Sequence, residues 1–110
     1  SIDPELIKTC IFNVILNAFQ AMPEGGKLTV RAQASDNKVS IIVEDTGVGV
    51  SREDLPKVFD PFFSTKGTGF GLGLAMTKRV VEEHGGKVDF HSIEGKGTSV
   101  TITLPTKSNR

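Results

Sequence analysis

Three side-chain amides recur at helical spacing in an otherwise apolar stretch of the sequence. Between Cys10 and Met22 every residue is apolar except Asn13, Asn17 and Gln20. Steps of four and three residues place these amides within an arc of about 60° on one helix face. Two interpretations stay open: a narrow stripe that faces solvent, or a row of neutral oxygen ligands suited to Mg²⁺ and phosphate.

An acidic, glycine-rich segment follows the second predicted strand and reads Asp45-Thr46-Gly47-Val48-Gly49. Glycine lets the backbone approach a flat ligand, and a carboxylate can accept a hydrogen bond from an exocyclic amine. The same residue types are common in a plain turn that ends a strand. Taken alone, the segment fits a ligand site or a turn.

A second glycine-rich segment, GTGFGLG over residues 67–73, leads into the last predicted helix. Helix N-termini bind phosphate through free N–H groups, and Lys66, just before the segment, can add a point charge. The alternative is a flexible lid without a phosphate role. The segment lacks the Gly-Lys-Ser/Thr of a Walker loop. A further run, Gly95-Lys96-Gly97-Thr98, is typical of a hairpin turn when taken alone.

The elements that position these residues follow from periodicity and from turn residues. Asp3-Pro4 predicts the start of a helix that ends near Met22, and Ser51 with Asp54 predicts a short helix. Four strands, a last helix from about 71 to 85, and a loop between the last two helices complete the pattern. The order predicts an α/β two-layer sandwich, in which a mixed sheet of about four strands is covered on one face by three helices. Its Thr/Ser-rich opposite face should meet water.

Length and composition describe one soluble domain over residues 1–110. The 13 basic and 13 acidic residues cancel, which argues against nucleic acid or a membrane surface as a charge-driven partner. The lone Cys10 is expected to be a buried hydrophobe in a reducing, cytoplasmic setting. Neither His84, at a helix end, nor His91, on a strand, is expected to act as a phosphate acceptor.

In this order the segments resemble the catalytic domains of bacterial sensor histidine kinases. The family belongs to a superfamily shared with type II topoisomerases, heat-shock chaperones and mismatch-repair ATPases. Residues 13–18 look like its N box, 45–49 like its G1 box, 59–63 like its F box, 69–74 like its G2 box and 95–98 like its last glycine motif. The resemblance implies the Bergerat ATP-binding fold. It further implies that the phospho-accepting dimerisation segment is absent from this chain.

The resemblance also implies roles for particular residues. Asn17 is expected to bind Mg²⁺ between the phosphates of ATP, and Asp45 to accept a hydrogen bond from the adenine amine. Asn13, Asn17 and Lys66 form the expected catalytic set. The remaining expected cofactor-binding residues are Gln20, Gly47, Gly49, Thr68, Gly69, Phe70, Gly71, Leu72, Gly73 and Thr98.

Two positions depart from the family pattern. Gln20 stands where many of these kinases carry a lysine, and Phe70 replaces the usual Thr or Ser of the G2 box. The pattern around Gln20 and the short lid are most similar to the nitrogen-regulatory subgroup.

The implied function is transfer of the γ-phosphoryl group of ATP to a histidine on the dimerisation domain of the same kinase, with a response regulator downstream. The related ATPases carry a water-activating glutamate at the position of Asn13, and an amide cannot accept a proton at neutral pH. ATP hydrolysis should therefore be slow. The alternatives are a degenerate nucleotide-binding interaction module and a serine kinase of the anti-sigma type.

Overall fold

The computed structural model describes residues 3–60 and 71–106, and the side chains of 71–73 are outside this description. Two helices, α1 (Pro4–Gln20) and α2 (Gly71–Glu83), accompany four strands. The strands are β1 (Leu28–Ser35), β2 (Lys38–Asp45), β3 (Lys87–Ile93) and β4 (Gly97–Pro105). They form one sheet in the order β1-β2-β4-β3. The predicted α/β two-layer architecture is confirmed.

The helix boundaries follow from capping. The Asp3 carboxylate accepts hydrogen bonds from the backbone N–H groups of Glu5 (3.0 Å) and Leu6 (3.3 Å), and Pro4 occupies the first turn, where no N–H is needed. At the end of α2, His84 Nδ1 lies 2.8 Å from the Val80 carbonyl oxygen, and Nε2 accepts the Asp3 N–H at 3.1 Å. His84 therefore joins the end of α2 to the start of α1, a structural role as predicted.

The core lies between the helices and one face of the sheet. The buried side chains of α1 recur at steps of three and four residues, which is the spacing of one helix face. The cluster comprises Ile7, Cys10, Val14 and Ala18 of α1, Val80 and Val81 of α2, and Val43, Val100, Ile102 and Leu104 of the sheet. Cys10 is 1 % exposed, which confirms its prediction as a buried hydrophobe. Burial raises the pKa of its thiol, and the nearby Thr77 hydroxyl acts in the opposite direction.

The opposite face of the sheet carries hydroxyl side chains, as predicted. Ser40 and Thr103 lie on it with their oxygens 3.4 Å apart. Because the helices lie over the other three strands, β1 at the edge of the sheet leaves Leu28 and Val30 exposed. No helix in the described part of the chain is long and apolar enough to cross a membrane.

Two details of the predicted architecture were wrong. The sheet is antiparallel throughout its described strands rather than mixed. The strands β2 and β3, joined through α2, do run in the same direction, but β4 lies between them, so no parallel strands are neighbours. The second predicted helix is a single 3₁₀ turn, Leu55–Lys57. Only Val58 in this segment is buried, so too little packing is available to extend the turn.

Candidate functional site

Asp45, the last residue of β2, is the most buried carboxylate that the structure describes, with 9 % of its surface exposed. Its Oδ1 accepts the backbone N–H of Gly47 at 2.8 Å. Burial raises the pKa of the Asp45 carboxyl, and the backbone N–H groups of Gly47 and Thr98 act in the opposite direction. Thr98 lies directly opposite on β4. A buried carboxylate with one oxygen held by the backbone is suited to accept a donor from a ligand.

The glycines around Asp45 allow three chain segments to come together. A Cβ on Gly47 would lie 2.2 Å from the carbonyl oxygen of Ala21, at the end of α1. A Cβ on Gly97 would lie 2.1 Å from the carbonyl oxygen of Asp45, and the φ of Gly97 is +134°. Sequence reasoning assigned Gly47 to ligand approach and the run with Gly97 to a hairpin turn. In the structure both glycines allow close backbone packing, Gly47 against Ala21 and Gly97 against Asp45.

The predicted amide stripe is half-buried and lies on α1 next to this segment. Asn13, Asn17 and Gln20 share one face beside the buried Val14 and Ala18. No hydrogen bond joins any of the three amide side chains to the residues that the structure describes. Half-buried amides without a partner among the described residues can bond to water or to a ligand.

The end of α1 is joined directly to the Asp45 segment. The Ala21 carbonyl oxygen, one turn beyond Asn17, accepts the backbone N–H of Val48 at 2.9 Å. This bond brings the end of the amide stripe close to the segment 45–49. Two groups of predicted site residues, far apart in sequence, therefore meet at one end of the sheet.

Ser92 was missed by sequence reasoning, although it belongs to the same cluster. Its Oγ accepts the N–H of Val50 (2.7 Å), donates to the carbonyl oxygen of Gly97 (3.1 Å) and lies 2.8 Å from Thr98 Oγ1. Alternation along β3 places Ser92 on the helix-facing side with Phe90. A serine on an otherwise apolar strand face is the signal that could have identified it.

The remaining predicted site residues lie around the segment 61–70, which is outside the described residues. Lys66, Thr68, Gly69 and Phe70 fall within it. Gly71, Leu72 and Gly73 form the first turn of α2, and the Leu72 side chain is again outside the description.

The chain leading into this segment is anchored at Phe59. The rings of Phe59 and Phe90 make an edge-to-face contact with centroids 6.0 Å apart, and Lys78 Nζ lies 5.6 Å from the Phe59 centroid. This contact attaches the start of the predicted F box to β3 and α2.

The donor set at this end of the sheet suits a hard cation shared with phosphate. Within the described residues, no group of three His, Cys, Asp or Glu side chains could hold a metal ion alone. Carboxamide oxygens are hard donors, and Mg²⁺ typically takes few protein ligands and completes its shell with water and phosphate oxygens. The amides of α1 fit that pattern.

Comparison with known proteins agrees with this arrangement. Residues 2–108 match the family described as histidine kinase-, DNA gyrase B- and HSP90-like ATPase. The chain is 41 % identical over 108 residues to sensor histidine kinase ZraS of Escherichia coli (strain K12) and 47 % identical over 103 residues to sporulation kinase D of Bacillus subtilis (strain 168). The two matches include 98 % and 94 % of this chain. They span only 23 % and 20 % of the length of the two relatives.

Solved structures give the same result. The mycobacterial sensor histidine kinase MprB superposes with a TM-score of 0.78 at 33 % identity, over 94 % of this chain and 74 % of that one. The catalytic domain of histidine kinase ThkA superposes with a TM-score of 0.81 at 34 % identity, over 94 % and 69 %. The chain therefore belongs to the histidine kinase-, DNA gyrase B- and HSP90-like ATPase family, an ATP-binding family, and to its histidine kinase branch.

Proposed function

We propose that residues 1–110 are a single catalytic domain that binds Mg²⁺-ATP and transfers the γ-phosphoryl group to a histidine on a separate dimerisation domain of the same kinase. A response regulator would then receive the phosphoryl group, and the domain would work in the cytoplasm. The observation that carries the proposal is the meeting of buried Asp45 and Thr98 with the end of the amide-bearing helix α1. This arrangement supports a base-binding end at Asp45 and Thr98 with a phosphate-binding side on α1.

At the base end, Asp45 accepts a hydrogen bond from the exocyclic amine of adenine. Support comes from its burial and from backbone N–H groups that hold the carboxyl in place, Gly47 N–H on Oδ1 among them. Thr98 supports the same edge from the neighbouring strand. Gly47 and Gly49 hold the backbone beside the base.

On the phosphate side, Asn17 provides an oxygen ligand to Mg²⁺, with Asn13 and Gln20 on the same helix face. Bound Mg²⁺ neutralises charge on the phosphates and orients them. The N–H groups in the first turn of α2 suit a phosphate, because the N-terminus of a helix favours negative charge. The phosphate-facing set is completed by Lys66, Thr68, Gly69, Phe70, Gly71, Leu72 and Gly73.

The transfer step needs positioning rather than a base from this chain. The nucleophile is an imidazole nitrogen of the dimerisation domain, whose lone pair forms the P–N bond. The bond from the γ-phosphorus to the bridging oxygen breaks, ADP leaves, and the imidazole proton passes to solvent. Asn13 cannot accept a proton from water, so hydrolysis stays slow while transfer proceeds.

The first experiment follows labelled phosphate. The chain is incubated with γ-labelled ATP, Mg²⁺ and a helical-hairpin domain that carries an acceptor histidine. Acid-labile label on the histidine supports the proposal. Label on serine indicates the anti-sigma type of kinase, and nucleotide binding without transfer indicates an interaction module. Label on His84 or His91 with ATP alone would contradict the division of labour proposed here.

A second experiment tests the amide stripe with a matched pair of variants. Asn17→Ala should abolish transfer and remove most of the dependence of ATP affinity on Mg²⁺, while adenine binding is partly retained. The control is Asn37→Ala in the exposed β1–β2 turn, which should leave both quantities unchanged. Equal Mg²⁺ dependence in the Asn17 variant and the wild type would exclude Asn17 from the metal site.

A further inference from the structure

The Ser92 hydroxyl is the only group among the described residues that hydrogen-bonds at once to Val50 after Gly49, to Gly97 at the start of β4 and to Thr98. It accepts the N–H of Val50 at 2.7 Å, donates to the Gly97 carbonyl oxygen at 3.1 Å and lies 2.8 Å from Thr98 Oγ1. All of these partners lie within the base end of the proposed ATP site. Ser92 therefore connects the two segments that hold Asp45 and Thr98 in place.

The direction of each bond follows from counting protons. A serine hydroxyl has one proton and accepts through its lone pairs. A carbonyl can only accept, so the proton in the Ser92–Gly97 bond comes from Ser92. The Val50 N–H can only donate and occupies one lone pair of Ser92 Oγ. Either oxygen could donate in the Ser92–Thr98 contact, and with all three bonds formed at once we assign that proton to Thr98.

This direction fixes what Thr98 can offer to a ligand. With its proton committed to Ser92, the Thr98 hydroxyl presents only lone pairs to the site. Asp45, directly opposite in the β2–β4 register, is also an acceptor when ionised. A ligand edge that meets both must supply hydrogen-bond donors. The 6-amino group of adenine has two, whereas the 6-keto group of hypoxanthine or guanine has none and only the adjacent N1–H donates, which leaves the 6-keto oxygen facing an acceptor.

We propose that Ser92 is a positioning residue that makes Thr98 an obligate acceptor and thereby gives the site its preference for 6-amino over 6-keto purine nucleotides. The inference rests on the proposed ATP site, with the base between Asp45 and Thr98. It extends that site to a residue that does not itself touch the base. Ser92 acts through Thr98 and through the placement of the Val50 and Gly97 backbone.

The test compares ATP with inosine triphosphate, which differs only in the 6-keto edge of its base. The dissociation constants of both Mg²⁺ complexes are measured for wild type, Ser92→Ala, Ser92→Thr and Ser99→Ala. Ser99 is also a serine within the sheet, opposite Glu44 of β2 and His91 of β3. Its side chain lies on the other face of the sheet from Ser92, which makes it the matched control. Wild type should prefer ATP by at least about ten-fold, the effect of one mismatched buried polar group.

In Ser92→Ala the Thr98 proton is released, so the hydroxyl can rotate and donate to a 6-keto oxygen. The dissociation constant of inosine triphosphate divided by that of ATP should therefore fall by about ten-fold. If Ser92 had a purely structural role, the variant would bind both nucleotides more weakly by the same factor and the ratio would stay unchanged. That result would overturn the inference. Ser92→Thr keeps a hydroxyl and should keep the wild-type ratio, as should Ser99→Ala.

Thr98→Val provides a readout that does not depend on the folding of Ser92→Ala. Thr98→Val should weaken the binding of ATP by about ten-fold and leave the binding of inosine triphosphate unchanged, because only the 6-amino group loses a partner. Equal losses would overturn the inference. Failure of the proposed function looks different, since wild type would then bind neither nucleotide. Wild type that binds ATP without preferring it to inosine triphosphate refutes only the inference.

Discussion

Asp45 has no cationic partner among the described residues, and backbone N–H groups alone oppose the effect of its burial. Such a carboxylate is useful to a ligand that brings donors, and unfavourable to the fold while no ligand is present. The groups that hydrogen-bond to it in the described residues are backbone N–H groups, and Thr98 lies opposite on β4. At the residue scale, the base end of the site is therefore built around one buried carboxylate.

The pH dependence of the free energy of unfolding should show the cost of burying the ionised Asp45 carboxylate. Because burial raises the folded-state pKa of Asp45, its contribution to stability is fully present below the unfolded value of about 3.9 and is lost as pH rises through the raised folded value. Asp45→Asn removes the ionisation. In the nucleotide-free domain, the Tm of the variant minus that of wild type should therefore increase as the pH of thermal melts is raised from about 4.5 to 7.5. A difference independent of pH would contradict the assigned cause.

The same variant should weaken ATP binding at neutral pH. Asparagine replaces one carboxylate oxygen by an NH₂ group, so that a donor faces the adenine amine, which is also a donor. Such a mismatch costs roughly 1–3 kcal/mol, or about ten- to a hundred-fold in affinity. Titration calorimetry measures this loss. Unchanged affinity would mean that the base lies elsewhere.

In the proposed function, Asn13 is the residue that would separate a kinase from a hydrolase. Asn13→Glu should place a carboxylate near the γ-phosphate, and general-base assistance is typically worth about 10²–10⁴-fold. We expect slow ATP hydrolysis to rise and transfer to histidine to fall, with ATP affinity measured alongside to separate the added charge from catalysis. Brisk hydrolysis by wild type would defeat the argument, since water would then be activated without this carboxylate.

At the scale of elements, the site depends on a hairpin turn and a strand end packed in contact. The turn between β3 and β4 is tied to the segment after Asp45, since Gly95 N–H donates to the Val48 carbonyl oxygen at 2.7 Å. Gly97, at the start of β4, lies against the backbone of Asp45. The position of Asp45 is thus set by the turn as much as by its own strand.

Two glycines, Gly95 in this turn and Gly97 directly after it, make a matched pair of variants. Gly95 and Gly97 both have positive φ, +82° and +134°. A Cβ on Gly95 would meet nothing within 4 Å, whereas one on Gly97 would lie 2.1 Å from the Asp45 carbonyl oxygen. Gly95→Ala should therefore cost about 1–2 kcal/mol of folding stability, from backbone strain alone. Gly97→Ala should cost clearly more and weaken ATP binding as well.

Urea unfolding and ATP titration of both variants measure these quantities. Equal destabilisation by the two substitutions would show that the turn adjusts without moving Asp45, which would contradict the packing described for Gly97.

At the scale of the whole molecule, one core joins every element that borders the site. Buried residues of α1 and α2 pack in one cluster with buried residues of β2 and β4. The proposed nucleotide contacts lie on α1, on the ends of β2 and β4, and on the first turn of α2. A ligand bound there bridges the helix layer and the sheet, so its binding energy should stabilise the domain as a unit.

Thermal melts should report this coupling. A ligand at about 100 times its Kd adds about 2.7 kcal/mol to the free energy of unfolding. Since each kcal/mol raises the Tm of a domain of 60–100 residues by about 4–8 °C, the expected shift is roughly 10–20 °C. Mg²⁺-ATP should produce such a shift, and adenosine at the same concentration a smaller one, since it lacks the phosphates that meet α1 and α2. A Tm unaffected by saturating Mg²⁺-ATP would contradict the proposed site.

Local spacing in the sequence was sufficient to predict which residues share a face or end an element. The cap at Asp3, the burial of Cys10, the amide stripe on α1 and a hairpin turn around Gly95 were all predicted, because each depends on neighbours within a few residues. The family assignment came from the order of several short motifs. The short second helix was predicted wrongly, because its cap is local but the packing that would extend it is not.

Tertiary structure alone decided how distant segments meet. The insertion of β4 between β2 and β3, which makes the sheet antiparallel, is not encoded in the periodicity of any strand. The bond from Val50 to Ser92 spans 42 residues and that from Asp3 to His84 spans 81. Hydrogen-bond direction and backbone contact depend on distances of a few ångströms between packed elements. The sequence therefore pointed to Asp45 and Thr98, but only the fold brought Ser92 and Gly97 into their positions beside them.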